Sequence, residues 1–171
     1  MKNLLVMAAF MLLVFSLRSM IWEPKPAPRS STQVSDEPTT ISPRDRVILY
    51  ALSLVDKPYR GGGTQPDQGF DCSGFLQHVF KASIGYQLPR SSSAMAGLGQ
   101  AVDLDQVRKG DLLFFTGSDA ESEEVGHVAL VVAAQENIHM IHASSRGVVV
   151  DVYQAMDYYQ DRFLQARRLE L

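Results

Sequence analysis

The most informative stretch of this sequence is residues 71–80, DCSGFLQHVF. Aspartate is a preferred N-cap residue, so Asp71 predicts that a helix begins at Cys72. The apolar residues that follow have the three- and four-residue spacing of one helix face: Phe75, Leu76, Val79 and Phe80. The pattern therefore predicts an amphipathic helix with Cys72 in its first turn.

The position of Cys72 at a helix start indicates a reactive thiol. Free backbone N–H groups and the helix dipole stabilise a thiolate, so we expect a lowered pKa and a nucleophilic sulfur near neutral pH. Cys72 is also the only cysteine of the chain and cannot form an internal disulfide. Taken alone, the motif fits a merely buried cysteine equally well.

The sequence around this stretch predicts helices first and strands afterwards. Ser42 as N-cap and Pro43 as first helical residue begin another helix, whose apolar spacing runs on to Pro58. Later runs rich in β-branched or aromatic residues predict strands at 112–116, 127–133, 138–143, 148–153 and 163–169. Their short connections favour antiparallel hairpins. We therefore predict an α+β fold, with N-terminal helices packed on a five- to six-stranded antiparallel sheet.

A cysteine nucleophile needs a base, and the chain offers four histidines. His78 falls on the predicted helix and is expected on its polar face. His127 begins an apolar strand, where a polar ring needs an explanation, and is the candidate base. His139 and His142 have opposite parity on the next strand, so only one of them can orient that base. We favour His142, which small residues follow, and expect His139 on a solvent-facing side.

The N-terminal region predicts export. Residues 1–22 are mostly apolar and fit a signal peptide, while an uncleaved membrane anchor stays open. Residues 23–41 are rich in Pro, Ser and Thr and are interpreted as a linker to a domain at 42–171. We expect a periplasmic or extracellular location, with or without membrane anchoring. No cysteine stands just after the apolar stretch, since the only one is Cys72, so a lipoprotein is not expected.

Charge and composition exclude one class of function. A net charge of −3 gives no basic field for nucleic acid, and a hydrophobic content of 46% is ordinary for a globular protein. Residues 119–124 carry four carboxylates and are interpreted as a solvated surface loop.

Six motifs together resemble a known family, the NlpC-type cell-wall peptidases. These are papain-like enzymes that cut the stem peptides of bacterial peptidoglycan. The resemblance spans nearly the whole predicted domain and lies in the motifs Pro58-Tyr59-Arg60, Asp71-Cys72-Ser73-Gly74-Phe75, Leu88-Pro89-Arg90, Lys109-Gly110-Asp111-Leu112, Gly126-His127-Val128 and Ile141-His142-Ala143-Ser144.

The resemblance implies a cysteine endopeptidase that works through an acyl-enzyme, without a metal or organic cofactor. Cys72 would be the nucleophile, His127 the general base and His142 the third polar residue that fixes the His127 ring. The implied bond joins D-γ-glutamyl to a diamino acid such as meso-diaminopimelate. Two alternatives stay open: a wall-binding domain without turnover, and an amidase or acyl transferase with another substrate.

The resemblance also implies substrate-binding residues. Tyr59 matches a tyrosine beside the nucleophile that stabilises the oxyanion or holds substrate. Asp71 and Ser73 match positions that can contact the stem peptide, although capping the helix explains Asp71 equally well. Arg90 and Asp111 are interpreted as structural.

Overall fold

A computed structural model describes residues 41–171. The proposed signal or anchor segment 1–22 lies outside the described residues, as does the linker as far as residue 40. The described helices are α1 (Pro43–Leu52), α2 (Cys72–Ile84), α3 (Ser92–Met95) and α4 (Asp157–Gln160). The strands are β1 (Thr64–Gln65), β2 (Gly69–Phe70), β3 (Gln100–Val102), β4 (Leu112–Thr116), β5 (Val125–Ala134), β6 (Ile138–Ser144), β7 (Gly147–Val152) and β8 (Phe163–Arg168).

The strands form a six-stranded antiparallel sheet in the order β3-β8-β4-β5-β6-β7, beside a separate two-stranded ribbon of β1 and β2. The predicted α+β fold, with helices on an antiparallel sheet, is confirmed. All five predicted strands are present, with ends shifted by at most two residues. The sequence analysis missed β3 and the small ribbon, because two or three residues are too short to show an alternating pattern.

The central strands of the sheet are buried on both faces. On one face it packs against α1, α2 and α3, through a core that includes Val47, Phe75, Phe80, Met95, Phe114, Leu130 and Ile141. On the other face lie α4 and the segment before it, over a second core that includes Leu113, Phe115, Val131, Met140, Tyr153 and Tyr159. Central strands buried on both faces read as continuous apolar runs, which is why β4 is so conspicuous in the sequence.

Helix α1 begins as predicted but ends early. The Asp45 N–H donates to the Ser42 side chain at 3.1 Å, which confirms the N-cap. The helix ends at Leu52, well before the predicted stop at Pro58. The chain instead turns, with Asp56 in the left-handed region at φ 69°, and the Asp56 N–H donates to the Val148 carbonyl at 3.0 Å. Pairing with the β7 strand thus replaces the last turns of the predicted helix.

Helix α2 has the predicted start and buried face. Asp71 is its N-cap and accepts from the Gly74 N–H at 2.7 Å. The backbone of Gly74 also passes so close to the preceding loop that a Cβ there would lie 2.1 Å from the Gly63 carbonyl oxygen. Glycine is required at this position because the loop and the first turn of the helix are in backbone contact.

The acidic insert at residues 119–124 lies on the surface. The carboxylates of residues 119–124 are all exposed, which confirms the interpretation of this insert as a solvated loop.

Within residues 41–171, no helix has the length and apolar character that crossing a bilayer requires.

Replacing Gly74 with alanine should destabilise the fold. The added methyl group meets backbone atoms that cannot rotate away, so we expect Gly74→Ala to lower the free energy of unfolding by about 1 to 3 kcal/mol. Urea unfolding followed by circular dichroism measures the change. Gly61→Ala is the matched control, because a Cβ at Gly61 would have nothing within 4 Å. Equal stability of the two variants would contradict the close approach.

Candidate active site

Cys72 lies in the first turn of α2, where the sequence analysis placed it, and its side chain is partly exposed. Burial raises the pKa of its thiol, and backbone N–H groups of Val128, Ser73 and Cys72 itself oppose the rise without cancelling it. The nearby Asp71 carboxylate adds to the increase. The expected lowering of the pKa is therefore wrong, because desolvation outweighs the helix N-terminus. The resting thiol is protonated at neutral pH.

His127 enters the site through a bulge at the start of β5. His127 pairs with Phe115 on β4, whereas the next pair joins Val125 to Thr116, so Gly126 is an extra residue on this strand. Bulges bend a strand and redirect the side chains beside them. The bulge lies directly before His127, and both Gly126 and His127 line a cavity at this end of β5.

His127 and His142 form a hydrogen-bonded pair. Nε2 of His127 lies 3.0 Å from Nδ1 of His142, and the two rings are nearly perpendicular, with an interplanar angle of 85°. Burial lowers the pKa of His127 to about 3, and the neighbouring His142 contributes to the shift. Burial also lowers the pKa of His142, although Asp151 opposes this change. Both rings are therefore neutral at physiological pH.

The structure separates the two histidines of β6 as their parity predicts. His142 is completely buried and contacts His127. His139 points to the opposite face and lies near the hairpin of residues 135–137. His78 is partly exposed on α2, and its Nε2 lies 3.1 Å from the Tyr50 hydroxyl of α1.

Asp151 extends the histidine pair, and the sequence analysis missed it. Its Oδ2 lies 3.0 Å from Nε2 of His142 on the neighbouring strand β6, and the Arg146 guanidinium contacts the same oxygen. Tyr159 stacks on His127 with its hydroxyl 3.4 Å from Nδ1 of His142. A single aspartate within the apolar run of β7 was the available signal. Its partner depends on strand pairing, which sequence spacing does not give.

A cavity of about 500 Å³ opens beside the histidine pair. Its lining includes His127, the half-exposed Tyr59 and Tyr158, and several hydroxyl side chains. Among the described residues that line the cavity, Arg146 alone carries a permanent charge. The cavity is therefore suited to a polar ligand that carries negative charge.

Asp71 and Ser73 are engaged within the protein. The Asp71 carboxylate accepts from Gly74, from the Gly62 N–H at 3.0 Å and from two guanidinium nitrogens of Arg90. Burial opposes its ionisation, but the hydrogen bonds from Arg90 and from the backbone outweigh burial and lower the Asp71 pKa. Ser73 is buried and accepts from Arg90 at 2.9 Å. Contact of Asp71 and Ser73 with a substrate stays a prediction.

The remaining motif residue, Asp111, is buried between basic groups. Its carboxylate accepts from Arg168 at 2.9 and 2.7 Å and from the Arg108 N–H at 2.9 Å. These contacts fit the structural role expected for Asp111. Over the described residues, no three His, Cys, Asp or Glu side chains are arranged to hold a metal ion.

The fold and site together define a class of protein. A cysteine begins a helix packed on an antiparallel sheet, and two hydrogen-bonded histidines lie on adjacent strands of that sheet. This is a papain-like α+β arrangement. The family model described as "NlpC/P60 family" matches residues 56–168, and the chain belongs to this family.

Curated relatives and solved structures agree with the assignment. The chain is 35% identical over 145 residues to probable endopeptidase NlpC of Escherichia coli (strain K12), covering 84% of this chain and 87% of that protein. It is 35% identical over 122 residues to the gamma-D-glutamyl-L-lysine dipeptidyl-peptidase of Bacillus subtilis (strain 168), covering 71% of this chain but 39% of that protein. The chain thus spans well under half of this longer relative.

Two solved structures are similar in fold. A family protein from Bacillus cereus has a TM-score of 0.65 and 33% identity, with 75% of this chain and 41% of that chain covered. RipD of Mycobacterium tuberculosis has a TM-score of 0.59 and 28% identity, with 75% and 98% covered. RipD is described as a non-catalytic NlpC/p60 domain protein adapted to peptidoglycan binding.

The Asp71–Arg90 ion pair should contribute stability that depends on pH. Asp71→Asn keeps an N-cap oxygen but loses the charge, and we expect it to lower the free energy of unfolding by about 2 kcal/mol near neutral pH. The folded-state pKa lies below the ordinary 3.8, so this difference is complete above that value and disappears as the pH falls through the folded-state pKa.

Thermal unfolding near neutral pH and in acid measures this effect. Asp67→Asn is the control, because Asp67 is exposed and should show no such difference. A deficit for Asp71→Asn that is the same at both pH values would contradict the ion-pair explanation.

Proposed function

We propose that the protein is a peptidoglycan hydrolase, a cysteine endopeptidase that cleaves the stem peptide through an acyl-enzyme on Cys72. The observation that carries this proposal is the His127–His142 pair, on strands packed against the helix that begins at Cys72. A thiol alone at a helix start would fit a buried cysteine. A thiol with an oriented base fits a nucleophile.

The proposed reaction begins from a neutral thiol and a neutral imidazole. Nε2 of His127 is hydrogen-bonded to His142, so Nδ1 of His127 is the nitrogen that remains to act as a base. In the proposed step, Nδ1 accepts the proton of the Cys72 thiol as the sulfur attacks the carbonyl carbon. The C–N bond then breaks, and the same proton passes from His127 to the leaving amine. His127 next deprotonates a water molecule, whose oxygen attacks the thioester and releases the new carboxylate and the Cys72 sulfur, which regains a proton.

Backbone and aromatic groups support this chemistry. The N–H groups at the start of α2 face the Cys72 sulfur and are placed to donate to the negative oxygen that forms on the attacked carbonyl. The Tyr59 side chain lines the same cavity as His127 and is proposed to donate to this oxygen or to hold substrate. Asp71 and Ser73 are also proposed substrate contacts, although Arg90 already holds both side chains and Ser73 is buried.

The charge of the cavity supports the choice of substrate. Stem peptides carry free carboxylates. The Arg146 guanidinium at the cavity wall pairs with Asp151, but its side chain is 55% exposed, so its remaining N–H groups can donate to one of these carboxylates. The proposed bond joins D-γ-glutamyl to meso-diaminopimelate, in line with the relative that is a gamma-D-glutamyl-L-lysine peptidase. This substrate lies outside the cytoplasm, so export through residues 1–22, to the periplasm or the cell exterior, is part of the same proposal.

A second candidate function is wall binding without turnover. The likeness to RipD favours it, because that protein keeps the fold without catalysis. The presence here of Cys72, His127 and His142 together argues for turnover instead. An amidase or acyl transferase using the same three residues is the remaining alternative, and the products distinguish it.

Cleavage should depend on the Cys72 sulfur. When purified peptidoglycan fragments are incubated with the protein, mass spectrometry should detect a released dipeptide that ends in D-glutamate. Cys72→Ala should abolish this release and leave the circular dichroism spectrum unchanged, because the side chain contributes a nucleophile rather than an essential core contact. Binding without release by the wild type would support the wall-binding alternative, and cleavage by Cys72→Ala would refute the mechanism.

The two histidines of β6 should differ in their effect on the rate. We expect His142→Ala to lower kcat/KM on the order of 100-fold or more, because His127 loses the group that orients it as a base. His139→Ala removes a ring from the opposite face and should leave the rate nearly unchanged. Initial rates on the same fragments compare the two variants. A larger loss for His139→Ala would show that the orienting residue is misassigned.

A further inference from the structure

We propose that Asp151 is a positioning residue that fixes the tautomers of both His142 and His127, so that Nδ1 of His127 is free to take a proton. This inference rests on the proposed function, since it assigns Asp151 a part in preparing the base. It follows from two successive hydrogen bonds, Asp151 to His142 and His142 to His127, in which the acceptor at residue 151 decides which partner donates.

The first contact sets the proton on His142. An ionised carboxylate has no proton to donate, so Oδ2 of Asp151 accepts at 3.0 Å from a protonated Nε2 of His142. The Arg146 guanidinium contacts the same oxygen and is a donor only. Its positive charge balances the carboxylate, whose side chain is only 10% exposed. Asp151 is thereby held in one position as an acceptor.

The second contact fixes the position of the proton on His127. A neutral imidazole protonated at Nε2 has a lone pair at Nδ1, so Nδ1 of His142 accepts from Nε2–H of His127 at 3.0 Å. The Tyr159 hydroxyl approaches the same Nδ1 at 3.4 Å. Burial raises the pKa of Tyr159 to about 12, so this hydroxyl keeps its proton and also acts as a donor. Two donors thus face one acceptor nitrogen.

These two hydrogen bonds leave Nδ1 of His127 without a proton. With its proton on Nε2, His127 has an unprotonated Nδ1, which is the form that a base for the Cys72 thiol requires. Without an acceptor at residue 151, both rings can adopt the opposite tautomer. His127 would then carry its proton on Nδ1 and could not accept another as a neutral base.

Two substitutions of Asp151 distinguish the effect of its hydrogen-bond acceptor from the effect of its negative charge. Both donors meet the same Oδ2, so in Asp151→Asn the amide oxygen takes that place and the tautomers are kept. Asp151→Ala removes the acceptor. We expect Asp151→Ala to lower kcat/KM on the order of 10- to 100-fold and Asp151→Asn to lose much less. Asp157→Ala, an exposed carboxylate on α4, is the matched control and should leave the rate unchanged.

The ring nitrogens give a readout that a merely structural role would not change. In ¹⁵N NMR spectra of the folded wild type, both His127 and His142 should be protonated at Nε2. Asp151→Asn should keep these signals, and Asp151→Ala should show His127 partly protonated at Nδ1. If Asp151→Ala fails to fold, the wild type and Asp151→Asn still give the tautomers.

Several results would overturn the inference. One is a wild-type spectrum with Nδ1 protonated on either ring. Another is an Asp151→Ala variant with unchanged tautomers, whatever its activity, and a third is a folded Asp151→Ala variant with full activity. The NMR measurement needs no substrate. A wild type with the expected tautomers but no cleavage of peptidoglycan fragments would therefore refute the proposed function and leave the role of Asp151 standing.

Discussion

The structure depends on one carboxylate at the start of α2. Asp71 caps the helix through Gly74, holds the preceding loop through Gly62 and pairs with Arg90 from the segment after the helix. Three separate parts of the chain therefore meet at the residue directly before Cys72. The position of the sulfur follows from this junction, because the first turn of the helix has no freedom to shift relative to the loop.

The second requirement is the register of the central strands. His127 and His142 meet only because β5 and β6 pair with one particular offset, and both strand pairs of β5 contain an irregularity. The same register places Asp151 of β7 beyond His142. The polar groups form a row across three neighbouring strands, each held in place by backbone pairing. A row of this kind is more rigid than one built on loops.

Much of the fold and part of the site could be predicted from sequence. The helix at Cys72 was predictable from its apolar spacing, and the five long strands were predictable because they are runs rich in β-branched or aromatic residues. The parity of β6 also separated His142 from His139. The early end of α1 and the partnership of Asp151 with His142 escaped because each depends on a contact between distant segments, such as that of Asp56 with Val148, which no local pattern records. The strand β3 and the ribbon of β1 and β2 escaped because they are too short to show an alternating pattern. The raised pKa of Cys72 escaped because it depends on burial in the folded protein.

The protonated state of the Cys72 thiol has a consequence for its survival. Peroxides oxidise thiolates far more readily than thiols, and the sulfinic and sulfonic products cannot be reversed by ordinary reductants. A sulfur that burial keeps protonated is less open to this damage while the protein is at rest. The chain has no other cysteine to repair an oxidised Cys72 by forming an internal disulfide. The desolvation that raises the pKa of the thiol therefore also lowers the fraction of thiolate that an oxidant can attack.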